Sequence, residues 1–222
     1  SSAASDVYKR QLLLGTPVFT RAILLTSSLR FVTLVSIMNK GRSCMSKYAG
    51  TKTEKNLMEA FAGESQARNK YTYYASAARK AGFVQMANLF EETANQEKEH
   101  AKMWFKEFHG IHNPEENLKD AAEGEHEEWT SMYKRMAEEA REEGFAELAE
   151  KFELVAEIEA AHEKRYLKLL DSLKKGETFK GEAPLGWKCN NCGYIHMGDE
   201  APEVCPACVH PQAYFERKTE NY

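Results

Sequence analysis

Two stretches of the 222-residue chain spell Glu-x-x-His: Glu97-Lys98-Glu99-His100 and Glu159-Ala160-Ala161-His162. On a helix, residues i and i+3 share a face, so each stretch can aim one carboxylate and one imidazole at a common point. Around the second, Phe145, Leu148, Phe152, Val155, Glu159, His162, Tyr166, Leu169 and Leu173 follow alternating steps of three and four. A lone carboxylate in such an apolar seam costs roughly several kcal/mol unless something neutralises it. A metal ion would do so. Two further stripes carry acids among apolar residues: Leu57, Phe61, Glu64, Tyr71 and Ala78, and then Leu118, Ala121, Glu125, Glu128 and Met132. Four-helix cores with one Glu from each of two helices and Glu-x-x-His from the other two bind a pair of iron or manganese ions. Glu91, Glu92, Glu138 and Glu139 read as a solvated face, and His109, His112 and His126 are expected at the surface.

A second constellation lies near the C-terminus. Cys189-Asn190-Asn191-Cys192 and Cys205-Pro206-Ala207-Cys208 are separated by 12 residues. Two Cys-x-x-Cys turns at this separation close one tetrahedral four-thiolate site, suited to structural zinc or to a single iron. Core candidates for so small a module are few (Trp187, Tyr194, Tyr214 and Phe215), so the metal must supply much of its folding energy.

Punctuation defines the elements that must position these groups. Helices are expected over about 53–81, stopping at Gly82, and about 83–109, stopping at Gly110. Asn113-Pro114 caps a third helix that runs to Gly144, and a fourth spans about 145–175 before Gly176. Joints this short make two antiparallel hairpins. The hairpins are also repeats: at an offset of 62, Tyr71, Arg79, Gly82, Phe83, Phe90, Glu97 and His100 meet Tyr133, Arg141, Gly144, Phe145, Phe152, Glu159 and His162. Facing one another, they would gather both Glu-x-x-His faces in one core. The expected organisation is a non-native, leader or transit-like extension over 1–44, a helical domain over 46–175, a linker over 176–186 and a cysteine domain over 187–222.

Charged residues form 29% of the chain and the net charge is −4, as in a globular protein exposed to water. Residues 1–44 hold six Lys or Arg against the single Asp6, which leaves −9 on the remainder. An acidic body excludes nucleic-acid binding as a working function. The apolar run of 22–37 is interrupted by Arg30 and is too short for a bilayer span, so no membrane partner is expected. Translation starting at Met45 would make the upstream segment non-native and leave Cys44 without a role; its Arg- and Ser-rich composition loosely fits an organellar transit peptide. The expected location is cytoplasmic, or organellar if that segment is genuine.

Gly63-Glu64-Ser65-Gln66-Ala67-Arg68-Asn69, Gln96 through His100, Gly124-Glu125 through Glu128, and Glu159 through Arg165 closely resemble the rubrerythrin family, as do Trp187-Lys188-Cys189, Cys192-Gly193-Tyr194 and Ala201-Pro202 before Cys205-Pro206. The resemblance covers about residues 46–222. It implies an all-α ferritin-like four-helix bundle followed by a small rubredoxin-like metal-knuckle domain. It implies a non-haem di-iron peroxidase that reduces hydrogen peroxide to water in oxidative-stress defence, with two iron ions in the bundle and one in the four-cysteine site. Glu97 and Glu159 would then bridge the irons, with Glu64 and Glu128 on one and Glu125 and His162 on the other. Glu128 would exchange with His100 on reduction, and Tyr71 and Tyr133 would hydrogen-bond the ligating carboxylates. Cys189, Cys192, Cys205 and Cys208 would hold iron rather than zinc. Electrons would come from NAD(P)H through an external reductase or a rubredoxin, since the chain contains no Gly-x-Gly-x-x-Gly.

The link from His100 to Glu125 is barely long enough to return the third helix to the far end of a bundle. A homodimer with hairpins swapped between chains is therefore expected. Rival expectations are a ferritin-type ferroxidase or iron-handling protein on the same ligands, and an electron carrier or zinc-stapled bundle without enzyme activity.

Overall fold

The computed structural model describes residues 46–219. The extension over 1–44, with Cys44, lies outside them. Thr51 opens α1 (Lys52–Lys80) by accepting the Glu54 N–H on its hydroxyl, while the Glu54 carboxylate takes the Gly50 N–H. Helix α1 ends at Gly82, whose φ of +85° only glycine adopts freely, with Phe83 N–H donating to Ala78 O and Gly82 N–H to Arg79 O. Helix α2 (Val84–Phe108) follows. Helix α3 (Pro114–Glu127) is capped by the Asn113 side chain, which accepts the Glu116 N–H. A π-helical turn, Glu128–Met132, leads into α4 (Tyr133–Glu142), and α5 (Ala146–Lys174) completes the helices.

The repeat holds in three dimensions. Arg79 pairs with Glu91 at 2.7 Å and Arg141 with Glu153 at 2.5 Å. Tyr71 lies 6.2 Å from Phe90, ring to ring, and Tyr133 lies 6.1 Å from Phe152. Gly144 closes the α4–α5 joint at φ +86° with the same pair of bonds. Alanines at the helix contacts (Ala75, Ala87, Ala94, Ala101, and Ala122, Ala137, Ala140, Ala149) let the backbones approach closely and are buried.

The π turn is where the repeat changes register. Downstream of it the offset is 62. Upstream it is 61, matching Asn56-Leu57 with Asn117-Leu118 and Gly63-Glu64 with Gly124-Glu125. The second hairpin thus carries one residue more than the first, and the π turn, with Tyr133 N–H bonded to Glu128 O, absorbs it. A continuous third helix to Gly144 was expected; the extra residue interrupts it.

The large apolar side chains are less covered than the periodicity implies. Phe83, Leu89, Phe145, Leu148, Leu154, Ile158 and Leu169 are exposed. Within the second hairpin α5 packs along both α3 and α4. Each hairpin buries its alanine seam and leaves its second apolar face uncovered.

The C-terminal module is a three-stranded antiparallel sheet ordered β2-β1-β3, with β1 Lys180–Cys189, β2 Ile195–Glu200 and β3 Phe215–Arg217. Strand β1 enters the sheet at Lys180, inside the stretch expected to be linker. Trp187, Cys189, Ala201, Cys205 and Phe215 form the core with Phe179 and Tyr194 against it, and the Trp187 indole N–H donates to Gly198 O. Tyr214, expected in this core, is exposed and packs edge-on against His210 instead.

Candidate metal centres

The four cysteine sulfurs converge between two matching knuckles. Cys189 N–H donates to Tyr194 O and Gly193 N–H to Cys189 O; Cys205 N–H donates to His210 O and Val209 N–H to Cys205 O. Gly193 takes φ +79° in the first knuckle, whereas the equivalent position in the second is Val209 at φ +60°, 78% exposed. Cys189 Sγ lies 3.7 Å from Cys208 Sγ, and Cys192 Sγ lies 3.7 Å from Cys205 Sγ. Thiolates at about 2.3 Å from a tetrahedral ion stand about 3.8 Å apart, so the cage already fits a metal. The protons confirm the crowding. Burial opposes the Cys208 thiolate, but hydrogen bonds from the His210 N–H and from neighbouring side chains pull it down to about 6. At Cys192 the Tyr194 backbone bond favours the thiolate, yet the other three sulfurs and burial push it up to about 12. One cation would replace those shared protons.

The carboxylates form two half-sites, one per hairpin. In the first, His100 Nδ1 is 2.9 Å from Glu97 Oε2 and 3.9 Å from Glu64 Oε2. In the second, His162 Nδ1 is 2.7 Å from Glu159 Oε2 and 3.7 Å from Glu125 Oε1. Within each trio, donor atoms lie within 4.8 Å of one another. The hydrogen bond with Glu97, then burial, raises the Glu64 carboxyl above its ordinary range, and the same bond lowers Glu97. The neighbouring His100 and Trp104 side chains act the other way, favouring the Glu64 carboxylate. Burial, then the bond and charge of Glu159, raises Glu125. Burial, then the Glu159 charge, raises Glu128, whose carboxylate stands outside the trio. Tyr133 is raised by burial and then by the charges of Glu128, Glu159 and Glu125, which places its hydroxyl beside the second half-site. Tyr71 packs on Phe90 and Tyr74. Acids forced to share protons beside a histidine are a donor set that divalent or trivalent iron fits.

One chain therefore does not gather Glu64, Glu97, Glu125, Glu128 and Glu159 around a single point. The two ligand trios sit on separate hairpins, and His100 is half exposed, at 50%. One group differs from expectation, and one that meets it has a partner. His109 is no surface residue: its side chain is 9% exposed, packed on Phe105, with Nε2 bonded to Asp120 at 2.8 Å. His126 is exposed but not idle, since Nδ1 meets Glu163 Oε1 at 3.0 Å. Sequence reasoning missed Glu163, Trp104 and Trp129. The register change between Gly124 and Tyr133 is the signal that marks the last of them.

Helical hairpins bearing paired Glu-x-x-His sites, joined to a four-cysteine ribbon, define a class of non-haem iron proteins with two kinds of iron site. A family profile described as rubrerythrin matches residues 55–170 and 116–184, and one described as the rubrerythrin rubredoxin-like domain matches 187–216. The chain is 50% identical over 186 residues to a rubrerythrin of Porphyromonas gingivalis, covering 78% of this chain and 93% of that one. It is 48% identical over 195 residues to rubrerythrin-1 of Clostridium acetobutylicum, covering 80% and 100%. A solved structure of nigerythrin in a mixed-valence state is 30% identical, covers 90% of this chain and 100% of its own, and has a TM-score of 0.30. The chain belongs to the rubrerythrin family, with that family's di-iron donor set and rubredoxin-like four-cysteine site. Among the described residues no helix is long and apolar enough to cross a membrane.

Proposed function

We propose that this chain is a peroxidase that reduces hydrogen peroxide to water, H2O2 + 2 e− + 2 H+ → 2 H2O, at a di-iron site completed by two copies exchanging hairpins. The observation that carries it is the pair of matched half-sites, each with two carboxylates and one partly exposed imidazole. Alone, neither trio balances an ion pair. Together with Glu128 they supply five carboxylates and two imidazoles, enough for two ions carrying about +4 to +6.

Bound iron supplies the two electrons that cleave the O–O bond and a Lewis-acidic seat for peroxide. The chain's residues do the rest. Glu97 and Glu159, each bonded to its own histidine, would be ligands common to the two ions. Glu64 and Glu128 would hold one ion, and Glu125 and His162 the other. His100, half exposed within its trio, and Glu128, standing off from its own, are the two groups with room to alternate. The Tyr133 hydroxyl, held protonated by its acidic neighbours, can donate to a ligating carboxylate. The exposed phenylalanine and leucine faces, once covered by a second copy, exclude water. Electrons reach the site from NAD(P)H through a separate reductase or a rubredoxin and then through the four-cysteine iron, whose thiolate shell suits one-electron transfer.

The test is stopped-flow oxidation of the iron-loaded, reduced dimer. Peroxide should oxidise the carboxylate site faster than dioxygen does. Faster oxidation by dioxygen, with iron uptake outpacing peroxide consumption, would instead identify a ferroxidase.

A further inference from the structure

The second hairpin contains a carboxylate for which the ligand set has no use. Glu163 follows His162 on α5 and is only 17% exposed. Its Oε1 meets His126 Nδ1 at 3.0 Å and its Oε2 accepts the Trp129 indole N–H at 2.5 Å. Both partners lie across the helix contact, one before the π turn and one within it: His126 is next to Glu125, and Trp129 is next to Glu128.

We propose that Glu163 is a positioning residue that pins the π turn, and through it sets where Glu125 and Glu128 point, for a divalent metal at the second half-site. A π turn is a poor hydrogen-bonding arrangement that helices do not adopt without cause. The extra residue in this helix can slide along it, and each one-residue slip rotates the side chain it passes by about 100° around the axis. Glu128 is the residue most affected, because it begins the turn. Glu163 holds one residue just before the turn and one within it, and so fixes the slip. The other hairpin provides the comparison. There the residue equivalent to Glu163 is Ala101, and α1 runs without interruption. The carboxylate is found only where there is a π turn to hold.

The inference rests on the di-metal reading, and the experiment separates the two. Full-length apo-protein is titrated anaerobically with cobalt(II), alone among metals. The thiolate charge-transfer band reports the four-cysteine site, and the weaker d–d bands with ion stoichiometry report the carboxylate site. Glu163→Ala should weaken the carboxylate site about 10–100-fold and leave the thiolate band unchanged. Trp129→Phe, which keeps the ring and removes the N–H, should weaken it in the same direction. Glu163→Gln, which still accepts from Trp129 and can donate to His126, should restore wild-type affinity to within a few-fold. A protein needing Glu163 only for bulk stability would show no such site selectivity. Wild-type affinity in Glu163→Ala overturns the proposal; if that variant fails to fold, wild-type affinity in Trp129→Phe does so. Should the wild-type chain bind cobalt at the thiolates only, the di-metal reading itself fails.

Discussion

Breaking a different half-site in each of two chains distinguishes exchange of hairpins from closure within one chain. Helix α2 runs eight residues past His100 to Phe108, and α3 needs eleven from Pro114 to reach Glu125. In a bundle where the third helix starts at the end opposite to where the second stops, those stretches add to about 28 Å at 1.5 Å per residue. The residues between, His109–Asn113, span at most about 22 Å fully extended. The shortfall of about 6 Å, with His109 also tied to Asp120, disfavours closure within one chain. The Glu97→Ala chain then lacks its first half-site and the Glu159→Ala chain its second. Either variant alone assembles no intact site. Co-refolded in equal amounts, half of the dimers are mixed, and each mixed dimer has one intact site of two. Peroxide turnover and carboxylate-bound iron should therefore recover to about a quarter of wild type. No recovery above either variant alone, or an iron-loaded monomer, would refute exchange.

Lengthening the link with eight Gly/Ser residues after Gly110 adds roughly 16 Å of average reach, so light scattering should then detect an active monomer. Trp187→Ala empties the centre of the ribbon and should cost about 3–5 kcal/mol, read as thermal loss of the four-thiolate absorbance. Asn113→Ala removes the only side-chain cap of α3 and should cost about 1 kcal/mol in thermal unfolding. The pH dependence should change sign with metal. In the ion-free chain Glu125 and Glu128 are raised, so the folded state holds extra protons, and their contribution to stability is lost as pH rises through the raised values. With ions bound, the same acids are ionised and acid displaces the metal. Calorimetric midpoints of apo and loaded protein should therefore converge on acidification; parallel curves would contradict this.

The local grammar of the helices was legible from residue types alone. Gly82, Gly144 and Gly176 end helices and Asn113 begins one because left-handed closure and side-chain capping are properties of single residues. Both Glu-x-x-His pairs and both cysteine knuckles were equally plain, since their spacing fixes their geometry. Two things were not. The stripe running through Phe145, Leu148 and Leu169 declares that a face needs cover but not which chain covers it, because periodicity has no memory of chain identity. The π turn and the Glu163 contacts were missed because a repeat aligned at one offset hides a one-residue change. His109 was misplaced because burial there depends on Phe105 and Asp120, which no local pattern links to it.

Val209 gives the ribbon an inbuilt order of events. A β-branched residue in the left-handed basin stores roughly 1–2 kcal/mol that its glycine counterpart at 193 does not. The same two backbone bonds close both knuckles, Val209 N–H to Cys205 O with Cys205 N–H to His210 O, and Gly193 N–H to Cys189 O with Cys189 N–H to Tyr194 O, but only those at 205–209 work against that stored cost. On loss of the ion the knuckle at 205–209 should therefore open before the one at 189–193.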